Sequence, residues 1–206
     1  NMINMLLYQN GATDDLTVAG IDSIVFRPAD DIEANAILIE YNNDIATVRH
    51  NITSEYFNVN VTGADVEIIS EASIEGLQYY LSGTTTNGSF SLESDMPYDV
   101  ILNNTEITSL TNVPLNLSKN VERNIIIANG TTNILSDSED SDGKAVINSK
   151  GATNISGFGS LTINANKKHG ISSDNDINID GATISINHSA DASKGLKSDC
   201  NIMITD

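Results

Sequence analysis

A pattern that recurs about every 25 residues, a period typical of solenoid repeats, runs through the second half of the chain and limits its possible architectures. The segment around Gly157 resembles the segment around Gly181. Gly170 and Gly195 open a second pair of matching segments at nearly the same offset. In a solenoid each repeat of this kind forms one structural unit.

Weaker copies of the pattern lie upstream. Gly130 aligns with Gly157 and Asn104 aligns with Gly130, which predicts coils of roughly 24–27 residues. The repeat is not visible before about Tyr98. Residues 202–206 begin another unit, and a solenoid needs a cap over its last coil. The sequence is therefore expected to be a fragment of a longer solenoid.

Each unit consists of an apolar strand, a corner at glycine or asparagine, an alternating strand, a polar loop and a short strand. Alternating Ile, Val and Leu give each strand one apolar side, which stacked coils bury and a single coil cannot. Connections between parallel strands are right-handed in nearly all cases. We therefore predict an all-β fold with very little helix, a right-handed, three-sided parallel β-helix. A β-sandwich also contains short strands, but nothing in that fold requires such a repeat.

The N-terminal region differs from the repeats. Apolar residues 5–8 and 16–18 flank the turn signal Asn10-Gly11, which predicts a β-hairpin. A third apolar run, residues 21–26, precedes Pro28. The predicted domains are an N-terminal β-hairpin and linker at residues 1–35 and a β-helix at residues 36–206.

Charge and hydropathy restrict the partners. The formal net charge is −18, with ten Lys and Arg against 28 Asp and Glu. Binding to a nucleic-acid backbone needs clustered basic residues, so nucleic acid is excluded as a partner. No run of about 18 apolar residues occurs, which predicts no transmembrane segment. The acidic excess suits divalent cations, which take carboxylate oxygens, and it is equally explained by solubility.

Several segments also occur in the order and spacing of a known protein family. The segments that carry this likeness are Leu81–Phe90, Ala128–Asp137, Gly157–Ile163, Lys168–Ile177 and Gly181–Ile186. Residues 36–206 are thus similar to the bacterial cellulose- and acid-sugar-binding proteins, which are calcium-containing right-handed β-helices shaped like pectate lyases. Residues 16–26 also resemble the start of mature lipoproteins from Bacteroidetes. The chain departs from the family at Lys194-Gly195-Leu196, where Asp-Gly-Ile is typical.

The resemblance implies a polysaccharide-binding protein that is secreted or attached to the outer cell surface, with a lipid anchor upstream of this sequence. The sequence is compatible with three functions. The first is non-catalytic, calcium-assisted binding of an acidic or cellulose-like glycan. The second is a polysaccharide lyase acting on uronate-containing glycans, and the third is a structural adhesin stalk. Tryptophan is absent, and few aromatic side chains favour recognition of polar or acidic glycans over stacking.

Acidic residues give the candidate metal site. Asp174 and Asp199 occupy equivalent positions in successive coils, which lie about 4.8 Å apart in a parallel stack. Together with Asp176 they predict a calcium site, because neighbouring carboxylates share a cation or raise one pKa. The alternative is that all three are solvated turn residues. A second acidic cluster occupies the loop 136–143, where the spacing suits a flexible charged loop more than a metal cage.

The run Lys167-Lys168-His169 is the candidate ligand-binding site. Its basic groups would pair with the carboxylates of acidic sugars in a binding protein. In a lyase, a basic residue would instead remove the proton α to a uronate carboxylate while calcium neutralises that carboxylate. In a purely structural role, Lys168 and His169 border the turn before Gly170.

Overall fold

The structure is a computed structural model that describes residues 4–9, 12–17, 32–71, 73–189 and 193–206. The chain divides into two compact units, residues 1–31 and 32–206. In the first unit, two strands form an antiparallel hairpin in which Gln9 lies opposite Ala12. The apolar run 21–26 lies outside the described residues.

The described residues contain strands and no helix, as the sequence predicts. In chain order the strands are β1 (Asn4–Gln9), β2 (Ala12–Thr17), β3 (Ala36–Asn42), β4 (Ile45–His50), β5 (Phe57–Thr62), β6 (Ala64–Ser70), β7 (Leu77–Thr85), β8 (Gly88–Ser94), β9 (Tyr98–Ser109), β10 (Leu115–Leu117), β11 (Arg123–Ile127), β12 (Thr132–Asp137), β13 (Ala145–Ser149), β14 (Thr153–Gly157), β15 (Ser160–Ala165), β16 (His169–Ser173), β17 (Ile177–Asp180), β18 (Thr183–His188), β19 (Leu196–Ser198) and β20 (Ile202–Thr205).

From β3 onward the strands stack on three faces, which confirms the three-sided parallel β-helix. The first face contains β3, β7, the start of β9, β11, β14, β17 and β20. The second contains the end of β9, β12, β15 and β18. The third contains β5, β6, β8, β10, β13, β16 and β19. Among the described strands of this unit, only β4 and β5 run antiparallel to their neighbours, as hairpin partners of β3 and β6.

Inward side chains of equal register form the apolar columns that hold the coils together. On the first face one column contains Ile37, Tyr79, Val100, Ile125, Ile155 and Ile179. These side chains are all buried. Burying one such side chain contributes roughly 2 kcal/mol, so the stacking of coils is a large favourable term in the stability of the solenoid. Isolated coils would leave the same surface in water.

The corners between the first and second faces use left-handed backbone, as the glycine and asparagine pattern predicts. Gly83, Asn104, Gly130, Gly157 and Gly181 all have positive φ, from 55° at Asn104 to 117° at Gly157. This conformation is costly for residues that carry a Cβ, and asparagine tolerates it better than most. Asn104 turns β9 so that its two halves lie on different faces.

Coil length varies more than the sequence repeat suggests. The register stacks Ile155 on Ile179, which agrees with the alignment of Gly157 with Gly181. It also stacks Ile125 on Ile155, so the coil between these two residues is longer. The alignment of Gly130 with Gly157 was therefore wrong, since Gly157 pairs with Ile127. The longer coil contains the loop 138–144. An inserted loop lengthens a coil without changing which inward residues stack.

The charged side chain of Arg123 lies within the solenoid and is completely buried. Its guanidinium donates to the Leu117 carbonyl at 2.9 Å and to the Ser149 hydroxyl at 2.8 Å. It also donates to the carbonyls of Lys119 and Val121, and its Cζ lies 5.6 Å from the Tyr98 ring centroid. Burial lowers the pKa of Arg123, although a guanidinium remains charged at neutral pH. Backbone carbonyls and an aromatic face thus replace the water around this cation.

Candidate functional site

The outer surface of the third face carries a continuous row of polar side chains. The row, in register from one coil to the next, is Glu67, Ser91, Asn116, Asn148, Ser172 and Lys197. Asn148 donates to the Asn116 side-chain oxygen at 2.9 Å, and Asn116 donates to the Ser91 hydroxyl at 3.2 Å. Outward positions at alternate residues of a strand form such a row because each strand presents every second side chain to solvent.

Two depressions follow one another along this row, each with a volume of about 380 Å³. Val113 and Asp142 line both of them, so the depressions adjoin. We call the two together the third-face groove. The depression nearer β6 carries acidic and neutral groups, among them Asp65, Glu67 and Asn112. Asp65 is held in place there because its carboxylate accepts a hydrogen bond from the Ser89 hydroxyl at 2.6 Å.

The depression nearer β19 collects basic side chains in an otherwise acidic molecule. Lys144, Lys150 and Lys197 all line it, which is three of the ten lysine and arginine residues in the chain. Asp174 and Asp199 line the same depression. A lysine ammonium is a flexible point charge that suits carboxylate ligands. Together with Asp142, these carboxylates equal the lysines in number, so this part of the groove offers ammonium groups beside carboxylates and carries no net positive charge.

The predicted metal residues are divided between two environments. Asp174 and Asp199 line the groove together, and the strands before them pair Ser173 with Ser198. Lys197 donates to Asp199 at 2.6 Å and holds the pKa of that carboxyl below its ordinary value. Asp176 does not line either depression of the groove; its Oδ1 accepts two hydrogen bonds from Asn201, at 2.9 and 3.0 Å.

Calcium takes six to eight oxygen ligands, roughly twice what two carboxylates offer. Among the described residues, no group of three or more His, Cys, Asp or Glu side chains is arranged to hold a metal ion. Asp174 and Asp199 are oxygen donors of the kind that calcium takes, but they would supply only part of its coordination, and Lys197 already donates to Asp199. An ion at this point would take its remaining ligands from water and from a bound carboxylate.

The predicted ligand-binding residues lie at the start of β16 in three different settings. Lys167 is exposed, and its ammonium donates to the Glu139 carbonyl at 2.7 Å. Lys168 is exposed. His169 is buried, and its Nδ1 accepts a hydrogen bond from the Lys194 backbone at 3.1 Å. Burial, followed by the nearby Lys168, lowers the pKa of His169, so the imidazole is neutral at pH 7 and contributes to the packing of the coils.

The second acidic cluster is only partly a solvated loop. Asp137 ends β12 and is buried, with an Oδ1 that accepts backbone hydrogen bonds from Asn166 at 2.6 Å and Lys167 at 3.2 Å. Burial raises the pKa of Asp137. Glu139 and Asp140 are exposed. The cluster is therefore divided, and one member belongs to the interior.

Sequence reasoning missed the lysines of the groove. Lys197 is distant in the chain from Lys144 and Lys150, and only the stacking of coils brings all three to one surface. The sequence repeat contained the information needed to find them. Aligning Asn148, Ser172 and Lys197 as outward positions of successive coils, as the register does, would have placed Lys197 near the β13 residues.

The geometry defines a class of protein: a parallel β-helix with a polar groove along one face. The carbohydrate-binding domain-containing protein family matches residues 62–206. The chain therefore belongs to this carbohydrate-binding domain family, as the resemblance predicted in its general form.

Two known proteins are similar to this chain. A carbohydrate-binding domain-containing protein from Acetivibrio thermocellus is 28% identical over 141 residues, which cover 62% of this chain and 49% of that protein. The chain thus spans about half the length of this curated relative. The solved structure of a polysaccharide lyase-like protein from C. thermocellum, a gadolinium derivative, superposes with a TM-score of 0.57 at 18% identity. The superposition covers 82% of this chain and 99% of the solved chain, and it supports the fold.

Proposed function

We propose that this protein binds an acidic polysaccharide in the third-face groove, without cleaving it, at the outer surface of a bacterial cell. The observation that carries the proposal is the convergence of Lys144, Lys150 and Lys197 on one depression of the groove. Membership of a carbohydrate-binding domain family supports a polysaccharide as the ligand. The lysines favour a glycan with carboxylates, such as a polyuronate, because an ammonium gains most from an anionic partner.

The groove also has the shape that a linear chain requires. The polar row crosses successive coils, so its hydrogen-bonding groups repeat at the coil spacing of about 4.8 Å. Ser91, Asn116 and Asn148 can donate and accept hydrogen bonds with sugar hydroxyls. The acidic depression near Glu67 suits neutral sugar units or units whose carboxylates point away from the surface.

We further propose that calcium assists this binding at Asp174 and Asp199. The two carboxylates line the same depression as the lysines. A calcium ion between them and a uronate would complete its oxygen coordination with the glycan carboxylate and water. Binding of calcium and binding of glycan would then strengthen each other, because the glycan carboxylate supplies oxygen ligands to calcium and calcium neutralises that carboxylate.

The first prediction concerns the lysines. The variant Lys144→Ala/Lys150→Ala/Lys197→Ala is expected to bind polygalacturonate about tenfold more weakly, since each exposed ionic contact contributes about a factor of two. Isothermal titration calorimetry in low salt measures this loss. Lys119→Ala is the matched control, because Lys119 pairs with Glu93 and Asp95 outside the groove. Equal affinities of the triple variant and the wild type would contradict the proposal.

The second prediction concerns calcium. Adding a chelator is expected to weaken polygalacturonate binding about tenfold, because charge-assisted contacts contribute roughly 1.5 kcal/mol or more. Asp174→Asn/Asp199→Asn should bind with the chelator-treated affinity whether or not calcium is present. Asp44→Asn, exposed in the turn between β3 and β4, serves as the control. Chelator-independent binding by the wild type would overturn the role of calcium and leave the lysine contacts intact.

A lyase is the second candidate, because lysines and carboxylates share one depression. A lysine base would remove the proton α to the uronate carboxylate, the electron pair would form a carbon–carbon double bond as the glycosidic C–O bond breaks, and the departing glycan oxygen would take a proton from water. The unsaturated product absorbs ultraviolet light. Incubation with polygalacturonate and calcium, followed by absorbance, therefore distinguishes the two functions: a steady rise in absorbance would establish the lyase, and a flat trace with measurable binding supports the binding protein.

A further inference from the structure

An aromatic ring projects from the corner between the first and second faces, away from the groove. Phe158 is 84% exposed, whereas Leu110, an exposed apolar residue of another coil, is 47% exposed. Single exposed apolar residues are common on protein surfaces. A phenyl ring with almost its whole surface in water is unfavourable, because its burial would contribute a few kcal/mol. The ring therefore contributes almost nothing to the packing of the solenoid.

The corner that carries Phe158 is fixed on both sides. A Cβ at Gly157 would lie 2.1 Å from the Ile127 carbonyl oxygen, and one at Gly159 would lie 2.3 Å from the Ala128 carbonyl oxygen. Only glycine allows the backbone to approach the preceding coil so closely. The Ser160 amide also donates to the Thr131 carbonyl at 2.9 Å. The ring is therefore presented on rigid backbone, so a ligand that packs on it loses little affinity to ordering of the loop.

Polar residues occupy this corner in the two adjacent coils. In the preceding coil the corner carries exposed Asn129, and in the following coil it carries exposed Asp180. Register places both next to this corner, since Gly157 pairs with Ile127 and Ser156 pairs with Asp180. The corner thus combines an exposed aromatic ring with polar residues at exposed positions of both adjacent coils, and the Asp180 carboxylate also accepts a hydrogen bond from the Thr205 hydroxyl at 2.8 Å.

We propose that Phe158 is the centre of a second glycan-binding site, separate from the third-face groove, on which one sugar ring stacks. A pyranose presents a face of C–H groups to an aromatic ring and its hydroxyls to polar neighbours, which Phe158, Asn129 and Asp180 match. The inference rests on the proposed polysaccharide function and adds a contact that does not depend on the charge of the glycan. It also revises the sequence-based expectation that aromatic stacking contributes little, since Tyr79 and Tyr98 are buried and Phe158 is not.

The test compares Phe158→Ala and Phe158→Tyr with the wild type, using polygalacturonate and cellopentaose in calorimetric titrations. For the glycans that the wild type binds, Phe158→Ala is expected to weaken affinity about fivefold, while Phe158→Tyr, which keeps a stacking ring, stays within about twofold. The loss should persist at high salt, because stacking is not screened as ionic contacts are. Thermal unfolding is expected to be unchanged, because the exposed ring makes few internal contacts.

Leu110→Ala is the matched control, since it removes another exposed apolar side chain, and it should bind as the wild type does. Unchanged affinity of Phe158→Ala for every glycan that the wild type binds would overturn the second site and leave the groove standing. Equal losses in the alanine and tyrosine variants would also overturn it, because they would indicate a change in the corner. A wild type that binds neither glycan would refute the proposed function itself.

Discussion

Replacing Arg123 with methionine is expected to lower the free energy of unfolding by about 4 kcal/mol, which places it among the most damaging single substitutions in the solenoid. The guanidinium is fully buried and bonds to the Leu117 carbonyl and the Ser149 hydroxyl. Methionine fills a similar length but donates no hydrogen bond. Each buried acceptor left without a donor costs about 1–3 kcal/mol.

Equilibrium unfolding in urea, followed by circular dichroism, measures the effect. Lys119→Met is the control, because it removes a positive charge from a half-exposed side chain in the loop before β11, whose surface ion pairs with Glu93 and Asp95 contribute little. We expect this control to unfold at the wild-type urea concentration. A loss below about 1 kcal/mol in Arg123→Met would show that the buried cation is not a structural requirement.

Replacing Gly157 with alanine is expected to lower the free energy of unfolding by about 3 kcal/mol, because strained backbone and overpacking act together. The residue has a φ of 117°, and an added Cβ would lie 2.1 Å from the Ile127 carbonyl oxygen. The clashing atom is backbone in the preceding coil, so relief requires the two coils to move apart. Separating the coils would weaken the ladder between β11 and β14.

Gly181 provides a close control because it occupies the equivalent corner one coil later. Its φ is 62°, and an added Cβ would meet nothing within 4 Å. Gly181→Ala should therefore cost about 1 kcal/mol, the penalty of left-handed backbone alone. Urea unfolding of the two variants separates the steric effect from the conformational one. Equal destabilisation of the two would mean that close approach between coils does not determine stability at Gly157.

The fold was predictable because each coil of a solenoid needs the same pattern of inward apolar residues and corner residues, so the pattern recurs in the sequence. The offset between Gly157 and Gly181 matches the register of β14 and β17. The first coils could not be found this way. Ile37 and Tyr79 stack although the hairpin strands β4 and β5 are inserted between them, whereas Tyr79 and Val100 stack across a much shorter coil. Stacking requires only the inward side chains to coincide, so coil length is free to vary.

The site was less predictable than the fold. Local sequence drew attention to Lys167-Lys168-His169, because adjacent basic residues form a visible cluster, but the structure places His169 inside the coil. Lys197 gave no local signal, yet it lies in the groove with Lys150. In a parallel stack, neighbours in space are one coil apart in sequence, so charge clusters on a face are spread over distant residues. The register confirms that Asp174 and Asp199 occupy equivalent positions in successive coils, because that prediction used the coil period.

A crystal structure of the protein with a galacturonate oligomer and calcium would show most directly where the glycan lies. We expect the sugar chain to follow the polar row from Asn116 to Lys197, with a uronate carboxylate about 3 Å from the ammonium of Lys144, Lys150 or Lys197. A calcium ion should contact Asp174 and Asp199 in the same complex. A glycan bound only elsewhere on the surface, with the third-face groove empty, would contradict the proposed function of the groove.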